Sequence, residues 1–199
     1  MSSQSPKRTQ AQRRAESSQA VLDSACRLFG EKGYAETSLD DIAGDCGLTI
    51  RPIYHYFGNK KALFAAVNEV MEERILKSMD EGRSAKPGNR ILTNWRAFLA
   101  LCDDPGFRQV VLVDGPNILG RERWSTSAVS VKARSLLGID AKMSSADQYR
   151  VTMFNRVVMG AFTEVALMIA ESDDVAFAQQ EAERLIVQLF SGGSDKLEL

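Results

Sequence analysis

The feature that most constrains the fold is a pair of short helical segments separated by a glycine, between residues 38 and 57. The first segment carries apolar residues at helical spacing, Leu39, Ile42, Ala43 and Cys46. Gly47 can end that segment in the left-handed conformation, and Thr49 is a good N-cap for a second helix beginning at Ile50. Two short helices joined by such a turn form the helix-turn-helix pattern, whose second helix enters the major groove of DNA.

The residues before this pair are also helical in pattern. Small and apolar side chains recur every three or four positions from about Gln12 to Glu31, and Gly33 is a natural stop for that first helix. Two overlapping hydroxyl-acid pairs then have the spacing of a capping box, Thr37 with Asp40 and Ser38 with Asp41. Either pair can start the second helix, which is only about two turns long.

The composition fits an all-α, soluble, globular chain. Of the 199 residues, 44% are hydrophobic, strand-like alternation is rare, and long helical stretches are separated by turn sequences such as DDPG and DGPN. No uninterrupted apolar run approaches the roughly 18 residues of a membrane span, and the N-terminus lacks the apolar segment of a secretory signal. We therefore expect a cytoplasmic protein without membrane association.

The cysteines and the single histidine limit the possible chemistry. Cys26, Cys46 and Cys102 are widely spaced, so they predict neither a disulfide framework nor a CxxC metal site. A zinc site or a Ser-His-Asp arrangement would have to be built around His55 alone, and no acid or nucleophile accompanies it at close spacing. We predict no catalytic residue, no metal and no cofactor.

Charge is distributed unevenly along the chain. The net charge is −1, but residues 1–61 hold 9 basic and 7 acidic residues, whereas residues 62–199 hold 16 basic and 19 acidic ones. Four basic residues and no acid lie within the first 14 positions, Lys7, Arg8, Arg13 and Arg14. We expect residues 1–13 to form a flexible basic arm that follows DNA phosphates or a minor groove.

The third helix, within TIRPIYHYFGNK, has an apolar face and a polar face. Ile50, Ile53 and Phe57 are spaced by three and four, which predicts that they pack on the first two helices. The remaining residues point elsewhere, Thr49, Arg51, Pro52, His55 and Tyr56. Arg51 can read guanine or contact phosphate, and the rigid ring of Pro52 suits a thymine methyl or a sugar edge.

A lysine pair opens the fourth helix, where Asn59 is a plausible N-cap. Lys60 and Lys61 then lie in the first turn, the end at which the helix dipole disfavours positive charge. A DNA phosphate held there by backbone N–H groups and a lysine would explain the pair, and a solvated lysine pair is the alternative. Tyr54 has the same two readings, packing or a phosphate contact.

Taken together, these motifs resemble the N-terminal domain of the TetR family of bacterial transcriptional regulators over about Arg14 to Ile75. The resemblance is carried by TSLDDIA from Thr37, CGLT from Cys46 and IYHYFGNKKAL from Ile53. It implies an all-α homodimer with a three-helix DNA-binding domain at residues 14–75, its helix-turn-helix at about 38–57. A larger helical domain at 76–191 would bind a small effector and dimerise, and residues 192–199 would form a tail.

The resemblance also implies roles for single residues. Tyr54 and Lys60 match positions that contact backbone phosphate, and Thr49, Arg51 and Pro52 occupy the variable positions that face bases. The family often has histidine where this chain has Tyr56, and the histidine here comes one place earlier, which leaves the role of His55 open. The complete set of expected DNA contacts is Arg14, Thr37, Ser38, Thr49, Ile50, Arg51, Pro52, Tyr54, His55, Tyr56 and Lys60.

The C-terminal part predicts a pocket. Its segment from Phe107 to Trp124 is similar to one in a subset of these regulators, and Pro116 after Gly115 should break or kink a helix and leave room for a cavity. The expected lining is mainly apolar with two polar anchors at the break, Trp95, Phe98, Leu99, Cys102, Phe107, Val111, Asp114, Asn117, Trp124, Met153 and Val157. Ordinary core packing is the alternative for each of these side chains.

Two long C-terminal helices are more apolar than the outer helices of a monomer. Small residues on the first of them allow close helix approach, so the pair can meet its symmetry mate in a four-helix interface. The expected interface residues are Val157, Gly160, Ala161, Val165, Met168, Leu185 and Leu189. Burial within one subunit is the alternative.

These observations predict a sequence-specific, DNA-binding transcriptional regulator, most simply a homodimeric repressor. Its partners would be double-stranded operator DNA, a second copy of itself and a small, mainly apolar effector. A ligand carrier or enzyme whose N-terminal helices are structural is the first alternative, and it lacks a convergent acid, base or nucleophile. A protein-interaction module that uses the basic arm is the second.

Overall fold

A computed structural model describes residues 9–81, 90–120, 123, 126–136 and 144–191, and every regular element in these ranges is helical. The all-α prediction is confirmed. Lys7, Arg8, Trp124 and the predicted tail at 192–199 lie outside the described residues. The predicted arm at 1–13 is partly wrong, because the chain is already helical from Gln10.

Helix α1 spans Gln10–Glu36, and its N-terminus is a capping box formed by Thr9 and Gln12. The apolar residues of its inner face are buried, Val21, Ala25, Leu28 and Phe29. Gly33 interrupts the helical conformation with φ 78° and ψ 170°, a region that L side chains avoid, and the chain then turns once more before it leaves the helix. Gly33 therefore bends the helix near the predicted stop instead of ending it.

Helix α2 spans Leu39–Asp45 and helix α3 spans Ile50–Phe57. The capping box at the start of α2 is Ser38 with Asp41, so the second of the two predicted pairs is the one used. Gly47 adopts a positive φ of 67° in the turn, and Thr49 occupies the N-cap position of α3, both as predicted. Gly58, at φ 82°, ends α3.

Helix α4 spans Lys60–Glu81, and Asn59 caps it because the Ala62 N–H donates to Asn59 Oδ1 at 2.8 Å. Its first half packs on α1 and α3 through fully buried side chains, Leu63, Phe64 and Val67. Its second half continues past the predicted boundary at residue 75 and packs on the C-terminal helices Arg90–Cys102 and Ala128–Leu136. The two parts of the chain therefore share one continuous helix.

The C-terminal part contains six further α-helices and one π-helix among its described residues. These elements are α5 Arg90–Cys102, α6 Pro105–Arg108, the π-helix Gln109–Asp114, α7 Gly115–Leu119, α8 Ala128–Leu136, α9 Ser145–Glu171 and α10 Val175–Ser191. Helix α9 packs on α5 and α10, and α1 packs on α6 and the π-helix. The N-terminal helices thus contact the C-terminal part directly as well as through α4.

The predicted break at Gly115 and Pro116 is wrong, because the chain stays helical through both residues. Gly115 keeps helical angles, φ −51° and ψ −56°, and its N–H donates to the Val110 carbonyl as the last hydrogen bond of the π-helix. Pro116 then lies in the first turn of α7, where a backbone N–H has no acceptor within the helix, so the missing N–H of the proline costs no hydrogen bond. The widened turn of the π-helix accommodates the proline, and the chain leaves helical geometry only at Gly120, with φ 87°.

Candidate nucleic-acid interface

Helix α3 has the two faces that its sequence predicts. Ile53 is fully buried, and Ile50 and Phe57 pack against the same core. Arg51, Tyr54 and His55 are exposed, and 52% of the surface of Tyr54 is accessible. Because Ile50 faces the core, its predicted DNA contact is not supported by its orientation.

The start of α3 presents polar groups at the surface. Thr49 is exposed and its side chain makes no capping hydrogen bond, so the hydroxyl remains available to another partner. Arg51 is exposed on the first turn, and Pro52 beside it is half-buried. A hydroxyl, a guanidinium and an apolar ring are side chains that read base edges in a major groove.

Tyr56 and Arg14 bring α3 and α1 together at the edge of this face. Tyr56 is half-buried, and the guanidinium carbon of Arg14 lies 6.0 Å from the centre of its ring. This geometry is that of a weak cation–π contact. It places an exposed arginine of the first helix beside α3, as expected if both contact one DNA backbone. The His55 ring lies 5.4 Å from the Tyr56 ring.

Thr37 and Ser38 differ in their exposure to solvent. Thr37 is fully buried, and its hydroxyl donates to the carbonyls of Gly33 at 2.8 Å and Leu28 at 3.1 Å. The prediction that its side chain contacts DNA is therefore wrong, because the capping position falls one residue later. Ser38 is exposed at the start of α2, where its Oγ accepts from the Asp41 N–H at 3.0 Å.

Lys60 has partners that the sequence did not suggest. Its Nζ lies 4.3 Å from the centre of the Tyr34 ring and donates to the Ala35 carbonyl at 3.4 Å. Tyr34 packs in turn against Phe64 and Phe29, with ring centres 5.1 and 5.8 Å apart. The ammonium is thereby held at the N-terminus of α4 with other N–H groups available, because a lysine carries three donors.

A polar network fixes α2 on α1 behind this face. Ser24 donates to Asp45 Oδ2 at 2.6 Å, and Arg27 forms an ion pair with the other oxygen of Asp45. The Ser24 hydrogen bond and then the Arg27 guanidinium lower the pKa of Asp45 below its usual value. Sequence reasoning missed this network, because its members are 18 to 21 residues apart.

Five of the eleven residues predicted to line an effector pocket are buried together in the core, Trp95, Phe98, Leu99, Cys102 and Phe107. Phe98 lies 6.2 Å from Trp95 and 6.4 Å from Phe107, measured between ring centres, and Trp95 also packs on Phe162 at 4.8 Å. Leu99 and Cys102 are buried beside them, and burial raises the pKa of the Cys102 thiol to about 12. Core packing, the alternative reading, therefore holds for these side chains. Met153 and Val157 are exposed on the surface of α9.

A cleft does lie next to the π-helix. It has an open volume of about 260 Å³, including space open to solvent, and Val111 is the predicted pocket residue that lines it. The other lining residues come from α4, α7 and the segment after α7, Asn68, Gly115, Pro116, Leu119, Gly120 and Arg123. Of the two predicted polar anchors, Asp114 faces the end of α1, and Asn117 is exposed and donates to the Val113 carbonyl.

Buried polar groups lie beside this cleft. Asn68 is 3% exposed and donates to the Val110 carbonyl at 3.5 Å. Glu72, one turn further along α4, is 5% exposed, and its Oε1 makes no hydrogen bond in the described part of the chain. Arg123 lies 3.8 Å from that oxygen and 3.3 Å from Glu69. Burial raises the pKa of Glu72, against the opposing charge of Arg123.

Helices α9 and α10 leave apolar side chains in solvent. The exposed set includes three of the predicted interface residues and several neighbours, Tyr149, Met153, Val157, Met168, Phe177 and Leu185. Gly160 and Ala161 are exposed as well, and a Cβ added at Gly160 would meet no atom within 4 Å. Val165 is half-buried against the core of its own chain, and the side chain of Leu189 lies outside the described residues.

Comparison with known proteins identifies the chain. Residues 21–67 match the family model described as bacterial regulatory proteins, tetR family. Residues 89–193 match the model described as tetracyclin repressor-like, C-terminal domain, so the two matches together cover most of the chain. The chain belongs to the TetR family. This membership confirms the resemblance seen in the sequence and the prediction of a transcriptional regulator.

Solved structures of the TetR family share the whole fold. A TetR-family transcriptional regulator from Pectobacterium atrosepticum superposes with a TM-score of 0.62 at 26% identity, over 93% of this chain and 97% of that one. A TetR-family transcriptional regulator from Streptomyces coelicolor gives a TM-score of 0.66 at 19% identity, over 88% and 98% of the two chains. The latter likeness shows the fold alone.

Curated relatives match only part of their own length. The HTH-type transcriptional regulator AcrR of Shigella flexneri is 38% identical over 74 residues, 37% of this chain and 34% of that protein. The biofilm operon icaADBC negative transcriptional regulator IcaR of Staphylococcus aureus is 41% identical over 44 residues, 22% and 24% of the two chains. The chain thus spans about a quarter to a third of these relatives, and they are named as regulators, not enzymes.

Helix α9 of this TetR-family chain is, among the described helices, the one long and apolar enough to cross a membrane. Its most apolar stretch has a mean hydropathy of 1.4, and 12% of that stretch is buried. Arg156 and Glu164 interrupt the apolar residues of this helix, so its sequence contains no unbroken apolar run of that length. Length and composition alone are weak evidence for a span, and the same exposed apolar face suits a subunit interface.

Proposed function

We propose that the protein is a homodimeric, cytoplasmic transcriptional repressor that binds operator DNA through α3 and whose operator affinity changes when a small effector binds the C-terminal part. The observation that carries this proposal is the polar face of α3, which exposes Arg51, Tyr54 and His55 and has Arg14 of α1 next to Tyr56. Residues 14–75 form the DNA-binding domain in this proposal, and residues 76–191 form the effector-binding and dimerisation domain.

The contacts with DNA divide into two groups. Thr49, Arg51 and Pro52, on the first turn of α3, read base edges, because they are the residues at the end of the helix that enters the groove. Phosphates are held by side chains around that turn, Arg14, Ser38, Tyr54, Tyr56 and Lys60. His55 is exposed on the same helix and can contribute one further backbone contact.

Dimerisation spaces the two reading helices. The exposed apolar side chains of α9 and α10 pack against the same helices of a second copy, around Val157, Gly160 and Ala161. Two α3 helices then reach successive major grooves about 34–36 Å apart on one side of the duplex. The operator is accordingly expected to be a palindrome or near-palindrome.

The effector is a small, mainly apolar molecule with at least one hydrogen-bonding group. We place it in the cleft between α4 and α7, whose walls are Val111, Pro116 and Leu119. Asn68 and Arg123 line the same cleft and offer donors, while the unbonded oxygen of Glu72 lies close to Arg123. A ligand that enters must widen this cleft, which changes the packing of α4 on α7.

Repression is supported by the relatives. IcaR is named as a negative transcriptional regulator, and its match to this chain is in a segment of 44 residues. A homodimer that covers an operator competes with polymerase for the same DNA, which is the simplest mechanism of repression. An effector that changes operator affinity by 5–150-fold would correspond to a coupling of about 1–3 kcal/mol.

The test is an anisotropy titration of the purified protein against the DNA flanking its own coding region, with a shuffled duplex as competitor. Arg51→Ala should lower affinity for the operator by about 10-fold or more and reduce the preference over the shuffled duplex. Lys60→Ala should lower affinity for both duplexes and flatten the log–log salt slope by about one unit.

Lys77→Ala is the matched control, since it removes the same charge from an exposed position about 25 Å further along α4. It should leave the salt slope unchanged. Binding that is salt-sensitive but equal for operator and shuffled DNA would contradict the proposal and favour a ligand-binding protein whose N-terminal helices are structural. Lys60→Ala and Lys77→Ala with equal slopes would show that the phosphate contact is wrongly assigned.

A further inference from the structure

The C-terminal part reaches the DNA-binding part through a hydrogen bond at the bend of α1. The Tyr34 N–H, directly after the bend, donates to Asp114 Oδ2 at 2.8 Å, and the two residues are 80 positions apart in the chain. Gln109 donates to the same oxygen at 3.0 Å. A carboxylate that accepts two N–H groups is a strong, directional anchor, because charge-assisted hydrogen bonds exceed neutral ones.

The backbone around this hydrogen bond is closely fitted. Gly33 has φ 78°, and a Cβ added there would lie 3.1 Å from Gln109 Nε2 and 3.4 Å from Asp114 Oδ2. One turn earlier, a Cβ on Gly30 would lie 2.9 Å from the Cα of Gly106 in α6. Two glycines of α1 thus allow the C-terminal part to approach the backbone of α1 directly. We call this contact, formed by Tyr34, Gln109 and Asp114, the hinge clamp.

The residue held by the hinge clamp in turn holds Lys60. The Tyr34 ring lies 4.3 Å under the Lys60 ammonium, and the next carbonyl, that of Ala35, accepts from it at 3.4 Å. A shift of Tyr34 and Ala35 therefore moves both groups that fix the ammonium at the start of α4. Lys60 is the side chain to which we assign a phosphate contact.

The other side of the hinge clamp faces the cleft. Asp114 is the last residue of the π-helix, and Val111, Gly115 and Pro116, which flank it in sequence, line the cleft. A Cβ on Gly115 would lie 2.9 Å from the Val110 carbonyl oxygen, so the backbone is tightly packed at this turn. A molecule that pushes on Val111 or Pro116 must therefore displace the backbone that carries Asp114.

We propose that Asp114 is a positioning residue for DNA binding, which sets the position of the Lys60 ammonium through Tyr34. This inference rests on the proposed function. It adds a route that runs through the bend of α1, beside the shared helix α4. The predicted polar anchor of the pocket thereby acquires another role, because its carboxylate turns away from the cleft and toward the DNA-binding part.

The first arm of the test needs no DNA. Amide hydrogen exchange of Tyr34 should be about tenfold faster or more in Asp114→Ala than in the wild type, since its acceptor is lost. Asp114→Asn keeps an acceptor oxygen of the same shape and should stay within about threefold of the wild type. Equal exchange in the wild type and Asp114→Ala would overturn the hinge clamp.

The second arm is a double-mutant cycle on operator affinity. Asp114→Ala should weaken operator binding about fivefold in the wild-type background, the lower end of typical coupling between sites. In a Lys60→Met background, which keeps the apolar stem and removes the charge, the same substitution should cost less than about twofold. An equal loss in both backgrounds would overturn the role of Asp114 in positioning Lys60 and leave it a merely structural residue.

The direction of the change in operator affinity distinguishes the hinge clamp from a long-range electrostatic effect of the Asp114 charge. Removing a negative charge should strengthen binding to DNA if only the long-range field matters. Asp103→Ala, which removes the same charge at an exposed site on the turn after α5, is the control and should not weaken binding. A wild type without preference for its operator would refute the proposed function, and the exchange arm would then decide the clamp by itself.

Discussion

The N-terminal and C-terminal parts of the chain close their cores differently. In the N-terminal part each of the four helices contributes a large apolar side chain that is fully buried within one chain, Phe29, Ile42, Ile53 and Phe64. In α9 and α10, by contrast, Val157 is 65% exposed, Met168 62% and Phe177 59%. The first region is complete as a monomer, and the second presents an apolar face that needs a partner.

This difference in burial matches the two functions that we propose for the two regions, DNA binding and dimerisation. The DNA-binding part must hold the side chains of α3 in fixed positions, so its core has no exposed large aliphatic residue. In the proposed dimer the distal helices recognise a second copy, and this would explain why they retain apolar surface that a monomer would bury. Stability of the first should not depend on protein concentration, whereas the second should show its full stability only above the dissociation constant of the dimer.

The largest expected effect is on the core of the N-terminal part. Phe64→Ala removes a ring that lies 5.2 Å from Phe29 and 5.1 Å from Tyr34, and it leaves a cavity. It should lower the free energy of unfolding by about 3–5 kcal/mol, measured by urea denaturation with fluorescence or circular dichroism. Phe177→Ala is the matched control, because the same ring is removed from an exposed position.

The control also sharpens the comparison. Phe177→Ala should have little effect at protein concentrations well below the dimer dissociation constant and a larger one above it. If Phe64→Ala and Phe177→Ala destabilise the protein equally at every concentration, the distinction between a closed core and an open face is wrong.

The second effect concerns the open face. Val157→Arg places a charge in the centre of the proposed interface, and twofold symmetry brings it close to its own copy. The cost should be about 2–4 kcal/mol of dimerisation free energy, from a buried charge without a partner, measured by sedimentation velocity across a concentration series. Met153→Arg, near one end of the exposed set, is a graded companion with a smaller expected loss.

A Val157→Arg variant that remains dimeric at the wild-type concentration would place the subunit interface elsewhere. The folded state of its N-terminal part should be unchanged in either case, as judged by the urea midpoint of the monomer. Loss of folding in that part would instead mean that α9 is structural for the whole chain.

Local sequence patterns predicted the DNA-binding part well because its determinants are local. The apolar spacing of Ile50, Ile53 and Phe57, the glycine at 47 and the cap at Asn59 each act within one or two helical turns. The wrong DNA contact at Thr37 arose where two capping pairs overlap, since both satisfy the same local rule. Only the depth of the core, which buries Thr37 completely, separates them.

Contacts between distant residues could not be predicted in this way. The positive charge of Lys60 at the start of α4 is unexpected from the sequence, and one of its partners is the Tyr34 ring. The Tyr34 N–H in turn donates to Asp114, which is 80 residues away in the chain. The π-helix also has no local signature, so Pro116 was expected to break the chain although the widened turn accommodates it. The aromatic residues around Trp95 fit core and pocket equally in sequence, and packing alone decides between them.

The third prediction tests the corrected role of Thr37. Thr37→Val keeps the shape of the side chain but removes the hydroxyl that donates to the Gly33 and Leu28 carbonyls. It should lower the free energy of unfolding by about 1–2 kcal/mol, because two buried acceptors lose their donor. Operator affinity, measured well below the unfolding transition, should be unchanged, together with its salt slope. A loss of affinity with full stability would restore Thr37 as a DNA contact.

The smallest expected effect is a change in pH dependence at Glu72. Burial raises the pKa of this carboxyl, so the folded state holds its proton more tightly than the unfolded chain does. The resulting contribution to stability is complete below the ordinary pKa of 4.5 and is lost as pH rises through the raised value. Glu72→Gln should remove that dependence, so the variant should gain stability relative to the wild type between pH 5 and pH 8, measured by urea midpoints.

Glu69→Gln is the matched control for Glu72→Gln, since Glu69 contacts the same Arg123 from an exposed position. Both substitutions remove one carboxylate near that guanidinium, but only Glu72 is buried, so only its replacement should change the slope of stability against pH. If Glu72→Gln instead destabilises the protein more at pH 8 than at pH 5, attraction to Arg123 outweighs burial. Glu72 would then be a charged partner of Arg123 in the closed cleft, and an effector would have to break that ion pair to enter.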